Sequence, residues 1–403
     1  MKALLTAGWV AASAFAIWVG ATSYIIANEV KAPAAAHAVG LAPRGSANAN
    51  FAMMTYGVRT LKDPQAAPSN AELDLARAAY RAEPLSSTAL SLIVATMPEG
   101  ETRQSLLTQV GDLTRRNSLL NEEQITAAAL RGDDRAFFHW LSRSVLTNND
   151  LRVAYVSAMA EATAREGAVA ALTPVIGSAP SWSESYWHQV VQRPASLLNA
   201  AKLRIAVAKQ PWRQTNVSRW DRALSIELTN RGHFDAARAL YEGLDLARET
   251  RSGNLLSDGG FGRQPELPPF DWQLAVSGTL GASIDDRSKS LLVSAISGAR
   301  GFAARQLVSL PPGNYRLGWS LSASMPITPS PLRARVSCAE SGERAAPIQP
   351  ISLTAGQHAK SFIIPESVCR WYWLSIDVVL PDDSAGIDAY FRNISLAQTT
   401  GNK

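Results

Sequence analysis

The sequence predicts a multidomain chain in which α-helices precede β-strands: a transmembrane helix, a helical region and a C-terminal antiparallel β-sandwich. Three observations support this order: an uncharged apolar run near the N-terminus, helical apolar periodicity up to about residue 251, and two-residue alternation after it. The 403 residues are 46% hydrophobic, which is enough for two domains with cores. The predicted boundaries are 1–28 for the anchor, 29–67 for a linker, 68–251 for the helical domain and 252–403 for the sandwich.

The first segment, residues 3–27, contains no charged side chain and follows Lys2. About 20 apolar residues suffice to cross a bilayer as a helix. A cleaved signal peptide is the alternative, but its apolar core is normally about 7–15 residues and ends at a small-residue cleavage site. We therefore expect an uncleaved single-pass anchor. In a bacterium this places the bulk of the chain in the periplasm and the anchor in the inner membrane.

Residues 29–67 are rich in Ala, Pro, Gly and Asn, which is typical of a linker, with one short helix expected over residues 51–61. Amphipathic helices are expected from residue 68 onward. Ser69 with Glu72 forms a capping-box pattern, and Asn121 stands where another helix would need an N-cap. Gly132 is expected to separate two helices.

The last helical segment contains Leu224 and Leu228 before a turn at Gly232, with Phe234 and Tyr241 after it. This pattern resembles a tetratricopeptide unit, although the regular 34-residue period of that family is not clean here. The resemblance implies an array that contacts other proteins along a concave face. An irregular helical spacer is the alternative interpretation.

Short alternating runs follow Gly253. Tyr315, Leu317 and Trp319 alternate with polar residues after a turn at residues 311–314, which predicts a hairpin with one buried face. A later run places Tyr372, Leu374, Ile376 and Val378 in one register, and we expect that aliphatic register to face the core. Several such strands indicate an antiparallel sandwich.

Residues 254–261, residues 269–272 and the hairpin that starts near Gln306 resemble the carbohydrate-binding modules with a galactose-binding-like jelly roll. The resemblance covers about residues 252–398 and implies a jelly-roll fold. It is weakly specific for ligand. It places a tight turn at residues 258–260 and predicts that Phe261, Phe270 and Trp272 close the open end of the core. Gly262 stands where an acidic residue is usual, so we expect no metal and no cofactor.

The two cysteines, Cys338 and Cys369, end two strand segments. In an oxidising compartment we expect a disulfide between them, and two buried free thiols are the alternative.

A ligand site is predicted at Trp371 and Trp373, which share the register opposite to the core. Aromatic rings stack on the C–H faces of sugars, and Arg333, Arg335 and Arg316 in outward registers would suit acidic sugars. The alternative is that both tryptophans pack against the helices.

No catalytic motif or nucleotide-binding loop appears, so no enzyme activity is expected. The net charge of +5 is spread along the chain, which argues against nucleic-acid binding. By analogy of architecture, the expectation is a periplasmic scaffold protein of exopolysaccharide or envelope assembly, with protein partners on the helices and polysaccharide on the sandwich. A glycan-active lyase or hydrolase and a purely structural subunit are the alternatives.

Overall fold

The computed structural model describes residues 2–28, 30–38, 45–63, 66–114, 116–246, 253–323, 330–342, 346–366 and 369–399. The chain divides into two compact units, Met1–Met159 and Ala160–Lys403. Among the described residues the last helix ends at Gly243 and the first strand begins at Gln273, so the predicted change from helices to strands is confirmed.

The first unit is helical. Its helices are α1 (Lys2–Ala27), α2 (Pro33–Ala38), α3 (Gly45–Thr60), α4 (Asn70–Ala82), α5 (Ser87–Ala95), α6 (Glu101–Leu113), α7 (Ser118–Leu130), α8 (Asp134–Thr147) and most of α9 (Arg152–Ala162). Helix α1 contains an 18-residue stretch, Gly8–Ile25, that is long and apolar enough to cross a membrane. Almost all of that stretch is exposed.

Helix α3 differs from the linker predicted for residues 29–67. It is 16 residues long, begins at Gly45 and packs on α4 through small side chains such as Ala49 and Ala52. The buried Glu72 carboxylate then accepts hydrogen bonds from the Arg59 guanidinium at 2.8 and 3.0 Å. Alanines contribute little to helical hydrophobic periodicity, so the alanine-rich composition of residues 29–67 suggested a linker.

Two N-terminal caps were predicted in the first unit, and the structure contains one of them. The Ser69–Glu72 capping box is present at α4, and Gly132 lies in the turn between α7 and α8 with φ of 68°. Helix α7, however, is capped by Asn117, so the N-cap predicted at Asn121 is wrong. Asn121 is buried one turn inside that helix.

In the part of the second unit that the structure describes, five α-helices that begin within the unit precede two sheets. The helices are α10 (Ala168–Gly177), α11 (Ser183–Val191), α12 (Leu197–Ala208), α13 (Arg219–Asn230) and α14 (Phe234–Gly243). The strands are β1 (Gln273–Leu274), β2 (Leu280–Asp285), β3 (Ser290–Ala295), β4 (Arg300–Ser309), β5 (Gly313–Ala323), β6 (Leu332–Cys338), β7 (Ile351–Ser352), β8 (Gly356–Ile364), β9 (Trp371–Val379) and β10 (Ile387–Gln398).

The strands form two five-stranded antiparallel sheets. Sheet A has the order β1-β4-β9-β6-β7, and sheet B has the order β2-β3-β10-β5-β8. One hydrophobic core contains inward residues of both sheets, and it includes the predicted set of Tyr372, Leu374, Ile376 and Val378. The aliphatic register of β9 therefore faces the core as predicted.

Residues 254–272 open the sandwich. Of the three aromatic residues predicted to close the core, two do so. Phe261 and Trp272 belong to the core, and the Trp272 indole N–H donates to the carbonyl of Asp258 at 3.1 Å. Phe270 is buried elsewhere: its ring lies 5.8 Å from those of Tyr241 and Trp371. The prediction for Phe270 is wrong, because it packs on α14 outside the core.

A buried polar cluster joins α14 to this segment. Asp271, 2% exposed, accepts hydrogen bonds from the Arg263 guanidinium at 2.6 Å, the Ser257 hydroxyl at 3.0 Å and the Tyr241 hydroxyl at 3.2 Å. Its second oxygen accepts from the backbone N–H groups of Glu266 and Leu267. Burial, followed by the charge of Asp271, raises the pKa of Tyr241 to about 12 and keeps its hydroxyl a donor.

The predicted disulfide is present. Cys338 ends β6, Cys369 precedes β9, and the bond closes a loop with a sequence separation of 31 residues. The Glu340 carboxylate in that loop accepts from the backbone N–H groups of Arg370 and Trp371.

Replacing both Cys338 and Cys369 by serine is expected to lower the free energy of unfolding by roughly 3–4 kcal/mol, because the unfolded chain regains loop entropy. Urea denaturation of the purified protein measures this change. Reducing the wild-type protein should produce the same loss, whereas reductant should leave the double variant unchanged. An unchanged unfolding midpoint after complete reduction would contradict a stabilising role.

Candidate functional site

The outer face of sheet A carries a regular array of side chains from β4, β9 and β6. Strand register aligns them in rows across the sheet. From the end nearest the disulfide, the rows are Ser309–Trp371, then Leu307–Trp373–Ser337, then Arg305–Ser375–Arg335, and last Phe302–Asp377–Arg333. The first two rows are mainly apolar and the last two mainly polar. We call the third and fourth rows the polar rows.

Two arginines are held in fixed orientations in the polar rows. The Arg305 guanidinium lies over the rings of Phe302 and Trp373, with centroid distances of 4.3 and 4.1 Å, and its Nε donates to Gln273 at 2.8 Å. The Arg335 Nε donates to Asp377 Oδ2 at 2.7 Å. These contacts fix the two guanidinium groups on either side of Ser375.

Three oxygens on this face are buried without a hydrogen-bond partner among the described residues: Ser337 Oγ, Ser375 Oγ and Asp377 Oδ1. Ser337 and Ser375 are 1% and 2% exposed. Buried hydroxyl and carboxylate oxygens are normally paired, and an unpaired one costs about 1–3 kcal/mol. Their concentration on one sheet face suits a partner that offers several hydrogen-bonding groups.

Trp371 is only 5% exposed, so its predicted outward exposure is wrong. Its ring lies 6.2 Å from Phe234 of α14 and 5.8 Å from Phe270. The alternative that this tryptophan packs against the helices is the one that the structure favours. The first row is therefore covered.

Trp373 is 7% exposed and is likewise not the open platform that the sequence predicts. The covering group here is the Arg305 guanidinium. The Trp373 ring therefore packs against the Arg305 guanidinium.

Arg333 and Arg335 lie on this same face, as predicted. Arg333 is exposed at the end of the array, opposite Asp377, and Arg335 is half-buried opposite Ser375. Arg316 does not join them, because it lies exposed on β5 in sheet B. The prediction that places Arg316 with the other four residues is wrong, since the core separates the two sheets.

The sequence-based prediction missed Arg305 and Phe302 as members of the site, and it did not name Ser375 and Asp377 among its ligand-binding residues. Ser375 and Asp377 alternate in the same register of β9 as the two tryptophans, so the sequence alone indicates that they lie on the same face. Arg305 and Phe302 come from β4, and a bulge between Phe302 and Ala304 shifts the pairing, so their placement requires the observed register.

The described residues contain one group of possible metal ligands, formed by Cys338, Glu340 and Cys369. The two sulfurs are joined to each other and have no thiolate to offer. The structure therefore supports no metal at this group.

No protein-family model and no curated protein matches the chain. Among solved structures, a chain described as "CBM4 structure and function" is 17% identical over 36% of this chain and 99% of its own, with a TM-score of 0.28. A CBM61 module in complex with β-1,4-galactotriose is 13% identical over 36% and 99%, with a TM-score of 0.25. An arabinose-bound GH51 α-L-arabinofuranosidase is 18% identical over 37% of this chain, with a TM-score of 0.25, and the match spans 27% of that enzyme.

Proposed function

We propose that the sandwich binds a saccharide on the polar rows of sheet A, and that the protein is a non-enzymatic accessory protein. The observation that carries this proposal is the set of unpaired buried oxygens of Ser337, Ser375 and Asp377 on one face. Sugar hydroxyls both donate and accept, so one ring satisfies several such groups. The half-buried ring of Phe302 beside Asp377 offers apolar contact for C–H groups.

We further propose an exported, membrane-anchored location, with the bulk of the chain in the bacterial periplasm. The length and apolar character of α1 support an anchor. The Cys338–Cys369 disulfide supports an oxidising compartment. An accessory role in exopolysaccharide or envelope assembly fits a saccharide-binding module held at the inner membrane, with the helices contacting protein partners as a tetratricopeptide-like array does.

A purely structural subunit is the second candidate, and the burial of Trp371 under Phe234 and Phe270 favours it. That packing uses the first row of the array only. A purely structural role does not explain the unpaired oxygens of Ser375 and Asp377, so we rank saccharide binding first.

Replacing Arg333 by alanine is expected to weaken saccharide binding about five- to tenfold, because Arg333 flanks Asp377 at the exposed end of the polar rows. A glycan array followed by titration of the best ligand measures the effect on the full-length protein. Arg316→Ala is the matched control: it removes another exposed strand arginine, on sheet B, and should leave binding unchanged. A flat array with the wild-type protein, or equal losses in both variants, would contradict the site.

A further inference from the structure

We propose that a cavity beside the end of α1 binds the headgroup phosphate of an anionic membrane phospholipid. The cavity has a volume of about 560 Å³, and all its lining residues belong to the helical first unit. We call it the basic cavity. The inference rests on the proposed membrane anchor and goes beyond it, because it assigns a lipid ligand to the chain. It is independent of the proposed saccharide site.

The walls of the basic cavity come from four parts of the first unit. They are the connection from α1 into α2, the middle of α3, the start of α5 and the segment that leads from α6 into α7. The Asn117 side chain ties two of these walls together, because its amide donates to the Ser87 carbonyl at 3.2 Å and to the Ser91 hydroxyl at 3.3 Å. The starts of α5 and α7 are therefore held side by side before any ligand binds.

The turn after α1 places the basic cavity at the membrane surface. The apolar stretch Gly8–Ile25 is 18 residues long, or about 27 Å as a helix, which nearly spans a hydrocarbon core of about 30 Å. After it, the backbone N–H groups of Lys31 and Ala32 donate to the Asn28 carbonyl at 2.9 and 3.0 Å, so the chain turns sharply. Lys31 thus stays beside the helix end, within the headgroup layer of about 5–8 Å.

Two cations line the basic cavity, and neither has a counterion among the described residues. Lys31 and Arg116 are both exposed, and no described carboxylate forms an ion pair with either side chain. The described residues that line the cavity also include no Asp or Glu. A phosphate suits this pair, because an ammonium and a guanidinium both make charge-assisted hydrogen bonds to phosphate oxygens.

The remaining polar wall offers further hydrogen-bond donors. Ser87 and Thr88 are the first two residues of α5, and Ser118 is the first residue of α7. Their hydroxyls have no partner in the part of the chain that the structure describes. Each helix start carries a positive partial charge, so the two helices add to the attraction that the cations exert on an anion.

Exposed apolar side chains favour a lipid headgroup over a free anion. Val30 and Met54 line the same cavity and are exposed, and so is Leu113, the neighbour of the lining residue Thr114. A free phosphate makes no apolar contacts, whereas a phospholipid presents glycerol and acyl-chain carbons beside its phosphate. Basic and apolar groups on one surface at headgroup depth are typical of segments that bind anionic lipid.

Native mass spectrometry of the full-length protein in detergent micelles tests this proposal. Phosphatidylglycerol and phosphatidylcholine with the same acyl chains are added in equal amounts. We expect at least fivefold more retained phosphatidylglycerol, because the choline cation of the other lipid is repelled by Lys31 and Arg116. The double variant Lys31→Gln with Arg116→Gln should lose at least four fifths of that retention. Both side chains are exposed, so we expect the variant to fold.

Two further double variants serve as controls. Lys62→Gln with Arg135→Gln removes two exposed cations of the same unit that do not line the basic cavity, and should retain phosphatidylglycerol as the wild type does. Lys31→Arg with Arg116→Lys keeps both charges and should also retain it.

The outcomes separate the lipid site from the anchor. Equal retention of the two lipids by the wild type, or equal losses in the two glutamine variants, overturns the basic cavity. Binding of inorganic phosphate without retained phospholipid identifies a free-anion site and overturns the lipid assignment. Alkaline carbonate extraction of bacterial membranes tests the anchor: release of the protein overturns the anchor and the lipid site with it. A protein that stays in the membrane and retains both lipids equally overturns the lipid site alone.

Discussion

Replacing Asp271 by alanine is expected to lower the free energy of unfolding by about 3–5 kcal/mol. The Asp271 carboxylate pairs with the Arg263 guanidinium at 2.6 Å and accepts from the hydroxyls of Tyr241 and Ser257. Its removal leaves a half-buried cation without this anion, together with buried hydroxyl and N–H groups that lose their acceptor. Urea denaturation followed by tryptophan fluorescence measures the loss.

Asp383→Ala is the control for this variant. Asp383 is exposed in the turn before β10, and its replacement should change stability by no more than about 0.5 kcal/mol. Similar stabilities for the two variants would show that the cluster around Asp271 contributes nothing specific to the packing of α14 on the sandwich.

Replacing Trp371 by alanine is expected to destabilise the protein by about 3–5 kcal/mol, because the ring is 5% exposed and packs between Phe234 and Phe270. The cavity left behind removes contacts on both the helix and the sandwich. The polar rows do not include Trp371, so saccharide affinity measured well below the unfolding temperature should be unchanged.

Tyr390→Ala is the aromatic control. Tyr390 is 40% exposed on β10 in sheet B, and its loss should cost far less stability than the loss of Trp371. If Trp371→Ala instead kept wild-type stability and lost saccharide binding, Trp371 would be a ligand contact and its structural role would be wrong.

The order of the architecture was predictable because its signals are local. Helical periodicity, the capping box at Ser69 and the alternation of buried and less buried residues in β5 each depend on residues a few positions apart. The short helix expected over residues 51–61 corresponds to the second part of α3, whereas the start of α3 at Gly45 and its packing through Ala49 and Ala52 were not predicted, because alanines give little periodic signal. Phe270 was misplaced because its partners, Tyr241 and Trp371, lie far away in sequence.

The candidate site was predictable only in part. Alternation correctly separated Trp371 and Trp373 from the core register, and the same face also holds Arg333 and Arg335. Exposure was not predictable, because the groups that cover the tryptophans come from α14, residue 270 and β4. Arg316 was assigned to the wrong sheet for a related reason. Alternation predicts which side chains of a strand face outward, but it does not predict to which sheet the strand belongs.

Arginine labelling with phenylglyoxal, read out by mass spectrometry of the peptides, tests the central claim most directly. The claim is that a saccharide occupies the polar rows of sheet A. With a saturating concentration of the best saccharide ligand from the glycan array, the modification of Arg333 and Arg335 should slow at least severalfold, while Arg316 on sheet B reacts as before. Protection of Arg316, or unchanged rates at Arg333 and Arg335 with the ligand demonstrably bound, would place the saccharide elsewhere and contradict the account.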